Sequence, residues 1–442
     1  MIKKAVLMVL VGVLIVFSAG ISSANQTDGM VSGTALVGLP VGIQASINPG
    51  GLGDSLLYGY YNVRGAADLF NVINTSDTQG VKARVVFRNA KNSVECLDFT
   101  ICLSEGDVWT GLILDNGTTA ALCTLDSDTI TDPAIPANCQ AFKYAGGGGI
   151  AGVTADDCRE GYFEIIGMTG IPGYDKANRA STTGLNTSAE CGSYTSTSDV
   201  LNTLMGNNTI LALDLTNTMS YSATAVADTS FIPVPLPAGS ELSIPNAMSA
   251  GRDAITACDE ADYIFTKSAL GSPYDVITGW GDTDIIVTFP TRLACHNTSA
   301  FTDLFEGDKV SSTASVIDYC TTIGFNFWDD KENLDVAPGD FSPSPQTRPC
   351  LPYEVNVIRL GNAVWDSSVV LTQPAPFDLG WTKIDLVSTL DLQIPTHVHS
   401  TTYGGNTAFG LPAVAYTTQS FTFAPGYMLP TAYDTVVTVA AP

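Results

Sequence analysis

Residues 81–103 read VKARVVFRNAKNSVECLDFTICL, the clearest strand pattern in the chain. Apolar side chains occupy every second position from Val81 to Phe87, and they alternate with Lys82, Arg84, Val86 and Arg88. Successive side chains of a strand point to opposite faces, so this spacing predicts one apolar face on a core and one mostly basic face. A second strand is predicted at residues 93–103, after the turn-forming run NAKN.

Similar short segments recur about every ten positions on both sides of this stretch. Strands are predicted at residues 55–62, 68–74, 81–89, 93–103, 107–114, 161–168, 209–215, 220–227, 284–289, 315–327, 353–360, 380–387 and 419–423. Runs of β-branched and aromatic residues separated by turn residues are typical of an antiparallel β-sandwich. We therefore expect an all-β protein, an antiparallel sandwich of immunoglobulin-like style, with short helices at residues 198–205 and between 246 and 259.

The length favours more than one sandwich. A chain of 442 residues is large for a single β-sandwich. The proline-spaced run FIPVPLP at residues 231–237 reads as an extended connector. We expect an N-terminal β-sandwich region at 25–230 and a C-terminal β-rich region at 231–442; one sandwich with long insertions, or interleaved regions, is the alternative.

The first residues have the pattern of an export signal. Lys3 and Lys4 precede an apolar run at residues 5–19, and the small residues Ser22, Ser23 and Ala24 follow. This order predicts a signal peptide at residues 1–24, cleaved before Asn25. A membrane anchor would need about 20 apolar residues. The expected location is the periplasm, the cell surface or the extracellular space, with no membrane span in the mature chain.

Composition excludes several classes of function. Of all residues 45% are hydrophobic, which is too many for a disordered chain. Asp and Glu number 44 against 19 Lys and Arg, giving a formal net charge of −25. Such a chain repels phosphate backbones and anionic lipid surfaces, so no nucleic-acid partner is expected.

Ten cysteines predict five disulfides in an exported chain. They are Cys96, Cys102, Cys123, Cys139, Cys158, Cys191, Cys258, Cys295, Cys320 and Cys350. The alternative, a zinc or redox site, has some support only at the neighbouring pair Cys295 and His296, because no C-x-x-C motif is present.

Spacing constrains some of these pairings. Six extended residues separate Cys96 from Cys102 by about 20 Å, beyond the roughly 7 Å between the Cα atoms of bonded cysteines. The two are therefore expected to lie on one face of their strand and to bond to different neighbours. Cys123 with Cys139, and Cys320 with Cys350, are plausible pairs across local loops.

Several segments together resemble a family of exported bacterial proteins of unassigned activity. They are GLGDSLLYGYYNVRG from Gly51, DLFNVINTSD from Asp68, the stretch from Val81, CREGYFEIIGM from Cys158, TDIIVTFPTR from Thr283, FNFWDDKEN from Phe325, PYEVNVIRLG from Pro352 and GWTKIDL from Gly380. The resemblance covers most of the mature chain. It implies export and a β-rich body, and it transfers no catalytic motif.

One acidic and aromatic cluster is the strongest candidate for chemistry. Within residues 325–335, Asp329, Asp330, Glu332 and Asp335 follow Phe325, Phe327 and Trp328. Paired carboxylates beside an aromatic wall are typical of a glycosidase cleft. The same oxygens could bind calcium, or the cluster could be a solvated turn after a strand, which is the commoner outcome in so acidic a chain.

Two other groups of residues were weighed as sites. His397 and His399 would lie on one face of a strand, as in some metal sites, but no third ligand is adjacent and the flanking residues indicate a loop. Asp126, Asp128 and Asp132 form an oxygen-rich loop without the calcium-binding D-x-D-x-D-G pattern. No G-x-S-x-G motif is present to hold a nucleophilic serine.

The sequence therefore predicts a structural or adhesive binding protein of the cell envelope or exterior, stabilised by disulfides, with no catalysis expected. Its partner would be another copy, the envelope or a polysaccharide, and no cofactor is expected apart from calcium. The alternatives are a carbohydrate-active hydrolase that uses the cluster at 325–335 and a calcium-stabilised binding module.

Overall fold

The computed structural model describes residues 45–126, 128–143, 154–174, 185, 187–195, 198–213, 217–229, 242–248, 257–296, 321–336, 350–387, 400–403, 406–424, 427–428, 431–434 and 436–437. All of them belong to one unit, Leu39–Pro442. Antiparallel strands dominate them, which confirms the predicted all-β sandwich fold; the immunoglobulin-like topology stays a prediction. The predicted signal peptide and the connector at 231–237 lie outside the described residues.

The first thirteen strands of the described chain form two facing sheets, here called the N-terminal sandwich. They are β1 (Ser46–Ile47), β2 (Ser55–Asn62), β3 (Ala66–Asn74), β4 (Gln79–Asn89), β5 (Glu95–Leu103), β6 (Val108–Asp115), β7 (Ala120–Cys123), β8 (Ile130–Asp132), β9 (Gln140–Ala141), β10 (Glu160–Pro172), β11 (Leu204–Ala212), β12 (Thr218–Ser222) and β13 (Thr224–Ala227). One sheet has the order β1-β13-β2-β10-β4-β5-β8 and the other β12-β11-β3-β6-β7-β9.

Aromatic rings fill the core between these sheets. Phe163 on β10 stacks on Tyr58 of β2 with ring centroids 4.2 Å apart. It also lies 4.7 Å from the rings of Phe70 on β3 and Phe87 on β4. Phe87 belongs to the apolar face predicted for β4, and that face is buried in this core.

Short helices connect and cover the sheets. They are a 3₁₀ helix at Ala155–Arg159, α1 (Ser188–Ser193), α2 (Ile244–Ala247), α3 (Ala257–Phe265) and α4 (Arg292–His296). No helix in the described ranges is long and apolar enough to cross a membrane.

Both predicted helices need correction. Residues 198–203 are irregular and 204–205 already belong to β11, because the backbone here bonds to neighbouring strands: Gly170 N–H donates to the Ser198 carbonyl and Thr75 N–H to the Thr203 carbonyl. Instead of one helix between 246 and 259, α2 ends at Ala247 and α3 begins at Ala257.

The second face of β4 is covered as well, although packing on one side only was predicted. The Lys82 ammonium donates to the carbonyls of Gly192 and Tyr194, at the end of α1, at 2.7 and 2.9 Å. Arg88 is only 4% exposed. These basic groups are buried because the segments that cover the sheet supply acceptors for them.

Arg88 forms a buried ion pair with Glu164 on the neighbouring strand β10. Arg88 Nε lies 3.0 Å from Glu164 Oε2, and both side chains are almost fully buried. Arg88 also donates to the Leu242 carbonyl at 2.8 Å, and Glu164 accepts from the Ile244 N–H at 2.9 Å. The pair therefore attaches α2 to the outside of the N-terminal sandwich.

The remaining described strands follow Phe265. They are β14 (Thr266–Lys267), β15 (Ala269–Asp275), β16 (Gly281–Thr288), β17 (Thr321–Thr322), β18 (Gly324–Asp329), β19 (Leu334–Val336), β20 (Cys350–Leu351), β21 (Val355–Arg359), β22 (Val370–Thr372), β23 (Leu379–Asp385), β24 (Ser400–Tyr403), β25 (Asn406–Phe409), β26 (Leu411–Pro412), β27 (Val414–Ala424), β28 (Tyr427–Met428), β29 (Thr431–Asp434) and β30 (Val436–Val437). The order β19-β18-β23-β15-β30 makes the outer sheet, and β22-β21-β16-β27-β28, with β29 beside β27, makes the shared sheet.

The shared sheet is apolar on both faces. Ile286 on β16 points into the core of the N-terminal sandwich, together with Val357 and Tyr416. Its neighbours Ile285 and Val287 point the other way, into a second core against the outer sheet. In the described chain, strands β1–β13 pair only among themselves and β14–β30 only among themselves. The boundary at residues 230 and 231 stays a prediction, and the two strand sets share one continuous core.

Buried carboxylates hold the loop after β21 against the N-terminal sandwich. Glu160 is fully buried and accepts from the Tyr60 hydroxyl at 2.9 Å and the Ser368 N–H at 2.9 Å. Asp284 on β16 lies 3.2 Å from Arg359 Nε and accepts from the Trp365 N–H at 3.2 Å. Burial raises the pKa of Asp284 to about 6, although Arg359 opposes the shift.

The buried pair predicts a difference between two arginines on one strand. Arg88→Met should lower the free energy of unfolding by about 3–5 kcal/mol, because it leaves the Glu164 carboxylate buried without its partner. Arg84→Met removes a more exposed pair with Asp98 and should cost about 0–1 kcal/mol. Urea unfolding at pH 7 measures both. The double variant Arg88→Met/Glu164→Leu should recover much of the loss, and equal losses for the two single variants would contradict this account.

Asp284 predicts a pH dependence. The unfolded chain loses this proton near pH 4 and the folded chain near pH 6. Between these two pH values the unfolded state binds fewer protons than the folded state. The contribution of Asp284 to the free energy of unfolding therefore falls as the pH rises from 4 to 6, by on the order of 3 kcal/mol, and does not change above that range. In urea unfolding from pH 3 to 7, the free energy of unfolding of Asp284→Asn relative to that of the wild type should rise by this amount between pH 4 and 6, whatever its absolute stability.

Asp329→Asn serves as the control, because the contribution of Asp329 to stability changes with pH in the opposite direction to that of Asp284. The amide of Asn333 lowers the pKa of Asp329, so this carboxylate stabilises the fold above pH 4 and its contribution is lost on acidification. An Asp284→Asn profile parallel to that of the wild type would rule out the assigned role.

Candidate interaction surface

The predicted acidic and aromatic cluster is divided between two faces of the outer sheet. Phe325 and Phe327 on β18 are buried in the second core, with ring centroids 5.9 Å apart. Trp328 has the opposite orientation, because side chains alternate along the strand. The rings therefore do not line a common wall beside the carboxylates, as the hydrolase hypothesis required.

Asp329 is the last residue of β18, and Asp330 and Glu332 lie in the turn before β19. Asp335 lies on β19. Asp329 accepts from the backbone N–H groups of Lys331 and Asn333 at 2.8 and 2.7 Å and from the Asn333 amide at 2.6 Å. Asp330 and Glu332 are exposed, and Glu332 has a φ of 65°, which fits a tight turn. Asp330 and Glu332 thus face solvent, and calcium binding by these residues stays a prediction.

Other predicted ligands do not converge in the described part of the chain. Across these residues no three His, Cys, Asp or Glu side chains form a group that could hold a metal ion. His397 and His399 lie outside the described residues. Asp126 accepts from the N–H groups of Asp128 and Thr129 at 2.7 and 3.0 Å, so its carboxylate stabilises its own loop.

Eight of the cysteines form four disulfides: Cys96–Cys158, Cys102–Cys191, Cys123–Cys139 and Cys258–Cys295. The predicted local pair Cys123–Cys139 is confirmed, and so are the separate partners of Cys96 and Cys102. Cys295 bonds to Cys258, which excludes the zinc or redox reading of Cys295 with His296. Cys320 lies outside the described residues, so its predicted bond to Cys350 stays a prediction.

The expectation that Cys96 and Cys102 share a face is wrong. Cys96 lies in the core of the N-terminal sandwich, whereas Cys102 lies on the other side of β5 with Cys191 and Tyr174. The cause is a bulge: Phe87 pairs with Leu97 and Arg88 with Glu95, so Cys96 is an extra residue in its strand. Such an insertion reverses the orientation of the side chains beyond it.

An exposed apolar row crosses the outer face of the outer sheet. Register places Trp328 of β18 opposite Trp381 of β23, with Leu334 of β19 and Pro273 of β15 on either side. We call these four side chains the aromatic row. The two indole rings are parallel, with centroids 3.9 Å apart and an angle of 4° between the planes. The row thus belongs to four adjacent strands and has a defined geometry.

A glycine allows the two tryptophans to stack closely. Gly380 precedes Trp381 and pairs with Asp329, and a Cβ at Gly380 would collide with the Trp328 carbonyl oxygen. Only glycine lets the two backbones come so near at this point. Trp328 belongs to the predicted acidic and aromatic cluster, whereas Trp381 is not among the predicted site residues. The alternation of Trp, Lys and Asp with Thr and Ile in GWTKIDL is the signal that could have indicated its outward face.

Leu334 and Trp381 of the row and the neighbouring Leu379 are large apolar side chains with exposed fractions of 54%, 42% and 43%. Leu379 lies on β23 two residues before Trp381. Trp280, which is 63% exposed, lies in the turn before β16 and is not a member of the row. A grouped apolar surface of this kind is typical of an interaction site.

Polar and acidic groups surround the row. Asn326 and Lys383 form the next outward pair along β18 and β23, and both are partly exposed. The exposed carboxylates of Asp330 and Glu332 lie in the adjoining turn, and Asp378 precedes β23. The surface is therefore apolar at its centre, with more acidic than basic side chains at its edge.

A separate cavity of about 530 Å³ opens at the edge of the N-terminal sandwich. Its walls include Leu97, Phe99 and Leu122, with Glu95 and Asp98 on the same strand β5. Asp98 pairs with Arg84. The cavity is consequently a largely apolar recess with two carboxylates in its wall.

Comparison of the chain with family models, with curated proteins and with solved structures found no match. The resemblance to exported bacterial proteins stays a prediction.

The stack predicts a measurable coupling between two tryptophans. In a double-mutant cycle of Trp328→Ala and Trp381→Ala, the coupling free energy should be about 0.5–1.5 kcal/mol, because each single substitution removes the same ring contact. Urea unfolding of the four proteins measures it. Trp280→Ala combined with Trp381→Ala is the control and should be additive. A coupling of zero between Trp328 and Trp381 would contradict the stacked arrangement.

Proposed function

We propose that this chain is an exported structural or adhesive protein of the cell envelope or exterior, which binds its partner through the aromatic row and catalyses no reaction. The observation that carries the proposal is the row itself, in which Trp328, Trp381 and Leu334 present apolar surface to solvent on a disulfide-stabilised β-sandwich. Tryptophan is enriched among the residues that dominate binding energy.

The disulfides support the location. Cross-links persist in oxidising compartments and are rare where thioredoxin and glutathione keep thiols reduced. Three of the four tie loops and strands within the N-terminal sandwich, with sequence separations of 62, 89 and 16 residues. In the chain-entropy model the two longer links each stabilise by about 4 kcal/mol. Stabilisation of this size by disulfide bonds supports a location outside the reducing cytoplasm.

The geometry of the acidic turn supports binding over hydrolysis. Glycosidases hold two carboxylates on either side of the bond that is cleaved, about 5–10 Å apart. Asp329 is occupied by three hydrogen bonds within the turn, and Asp330 and Glu332 are exposed. This surface favours contact with a partner rather than protonation of a leaving group.

Cell fractionation combined with intact-protein mass spectrometry tests the proposal. The mature protein should begin at Asn25, should occur in the periplasmic, surface or medium fraction, and should gain no mass from a thiol-alkylating reagent until it is reduced. A product that keeps residues 1–24 and reacts with the reagent before reduction would overturn the assignment to the exterior.

A further inference from the structure

We infer that the aromatic row binds an uncharged polysaccharide, an inference that rests on the proposed binding function. Indole rings suit the C–H faces of sugar rings, which are apolar while their edges carry hydroxyls. Trp328 covers one face of the Trp381 ring, and Trp381 keeps 42% of its surface accessible to a sugar. The row runs across four strands and so offers several contacts in line, as a polymer requires.

Polar side chains beside the row suit hydroxyl groups. Asn326 and Lys383 point outward in the next register position, two residues from Trp328 and Trp381. That spacing is about 7 Å along the strands. The Asn326 amide donates and accepts hydrogen bonds, and the Lys383 ammonium donates. A sugar stacked on the row would therefore find both kinds of partner for its hydroxyls.

Charge argues against the other classes of partner. The chain carries a formal net charge of −25, and Asp330, Glu332 and Asp378 border the surface. A second copy joined through the same face would bring these carboxylates against themselves, and a polyanion would meet the same repulsion. An uncharged glycan meets no such repulsion.

The small apolar area of the surface also favours a glycan over a second copy of the chain. With exposed fractions of 54%, 43% and 42%, Leu334, Leu379 and Trp381 offer an apolar area on the order of 300 Å². A stable protein–protein interface buries about 800 Å² on each partner. The surface is small for a second copy of the chain and adequate for a short run of sugar units.

Native affinity electrophoresis of the oxidised mature chain tests the inference. Gels would contain hydroxyethyl cellulose, galactomannan, dextran or glycol chitin as uncharged probes, and polygalacturonate as the acidic one. At least one uncharged probe should retard the wild type. Trp381→Ala and Trp328→Ala should each weaken that binding by about tenfold or more, and Trp381→Phe should retain part of it. Trp280→Ala, exposed but outside the row, should bind as the wild type does.

Four results would overturn the inference: no retardation by any uncharged probe, stronger retardation by polygalacturonate, an equal loss in Trp280→Ala, or a dimer in analytical ultracentrifugation that depends on Trp381. A cooperative thermal unfolding transition well above the assay temperature confirms that each variant is folded. Co-sedimentation with the envelope fraction of the producing cells separates the two proposals. Binding to that fraction that is weakened in Trp381→Ala, with no retardation by any uncharged probe, would retain the proposed function and reject the polysaccharide.

Discussion

The shared sheet is buried on both faces, and the rest of the structure depends on this constraint. Alternate side chains of β16 enter two different cores, with Ile286 on one side and Ile285 on the other. A strand of this kind cannot leave either face to water without a large loss of apolar burial. It therefore joins the N-terminal sandwich to the outer sheet, and the polar groups at the junction must find partners inside. Glu160 and Asp284 are buried carboxylates that bind the loop after β21 for this reason.

Much of the fold could be predicted from local patterns. The strand at residues 55–62 has the predicted bounds, and β4 is two residues longer at its start, because a run of β-branched and aromatic residues between turn residues is sufficient to define a strand. Residues 198–205 were misread because their extended form depends on bonds to distant strands. The face of Cys96 could not be predicted, since it depends on the register between Arg88 and Glu95.

The candidate surface was harder to predict than the fold. Trp328 and Trp381 are 53 positions apart in the chain, and only the pairing of β18 with β23 brings them together. The acidic cluster drew attention because its members are close in sequence. Strand alternation then separates Phe327 from Trp328, and the turn engages Asp329. Residues that are close in sequence therefore suggested the acidic cluster as the site, whereas the exposed row forms only when β18 pairs with β23.

The two long cystines also determine how the chain would transmit tension. Cys96 bonds to Cys158, and Cys102, six residues further on, bonds to Cys191. A pulling force that enters at Cys96 can reach Cys191 through those six residues and one sulfur bridge. The other 89 residues up to Cys191 would stay slack, which removes about 300 Å of extension. Unless the bridges are reduced, this half of the molecule would act as a nearly inextensible link.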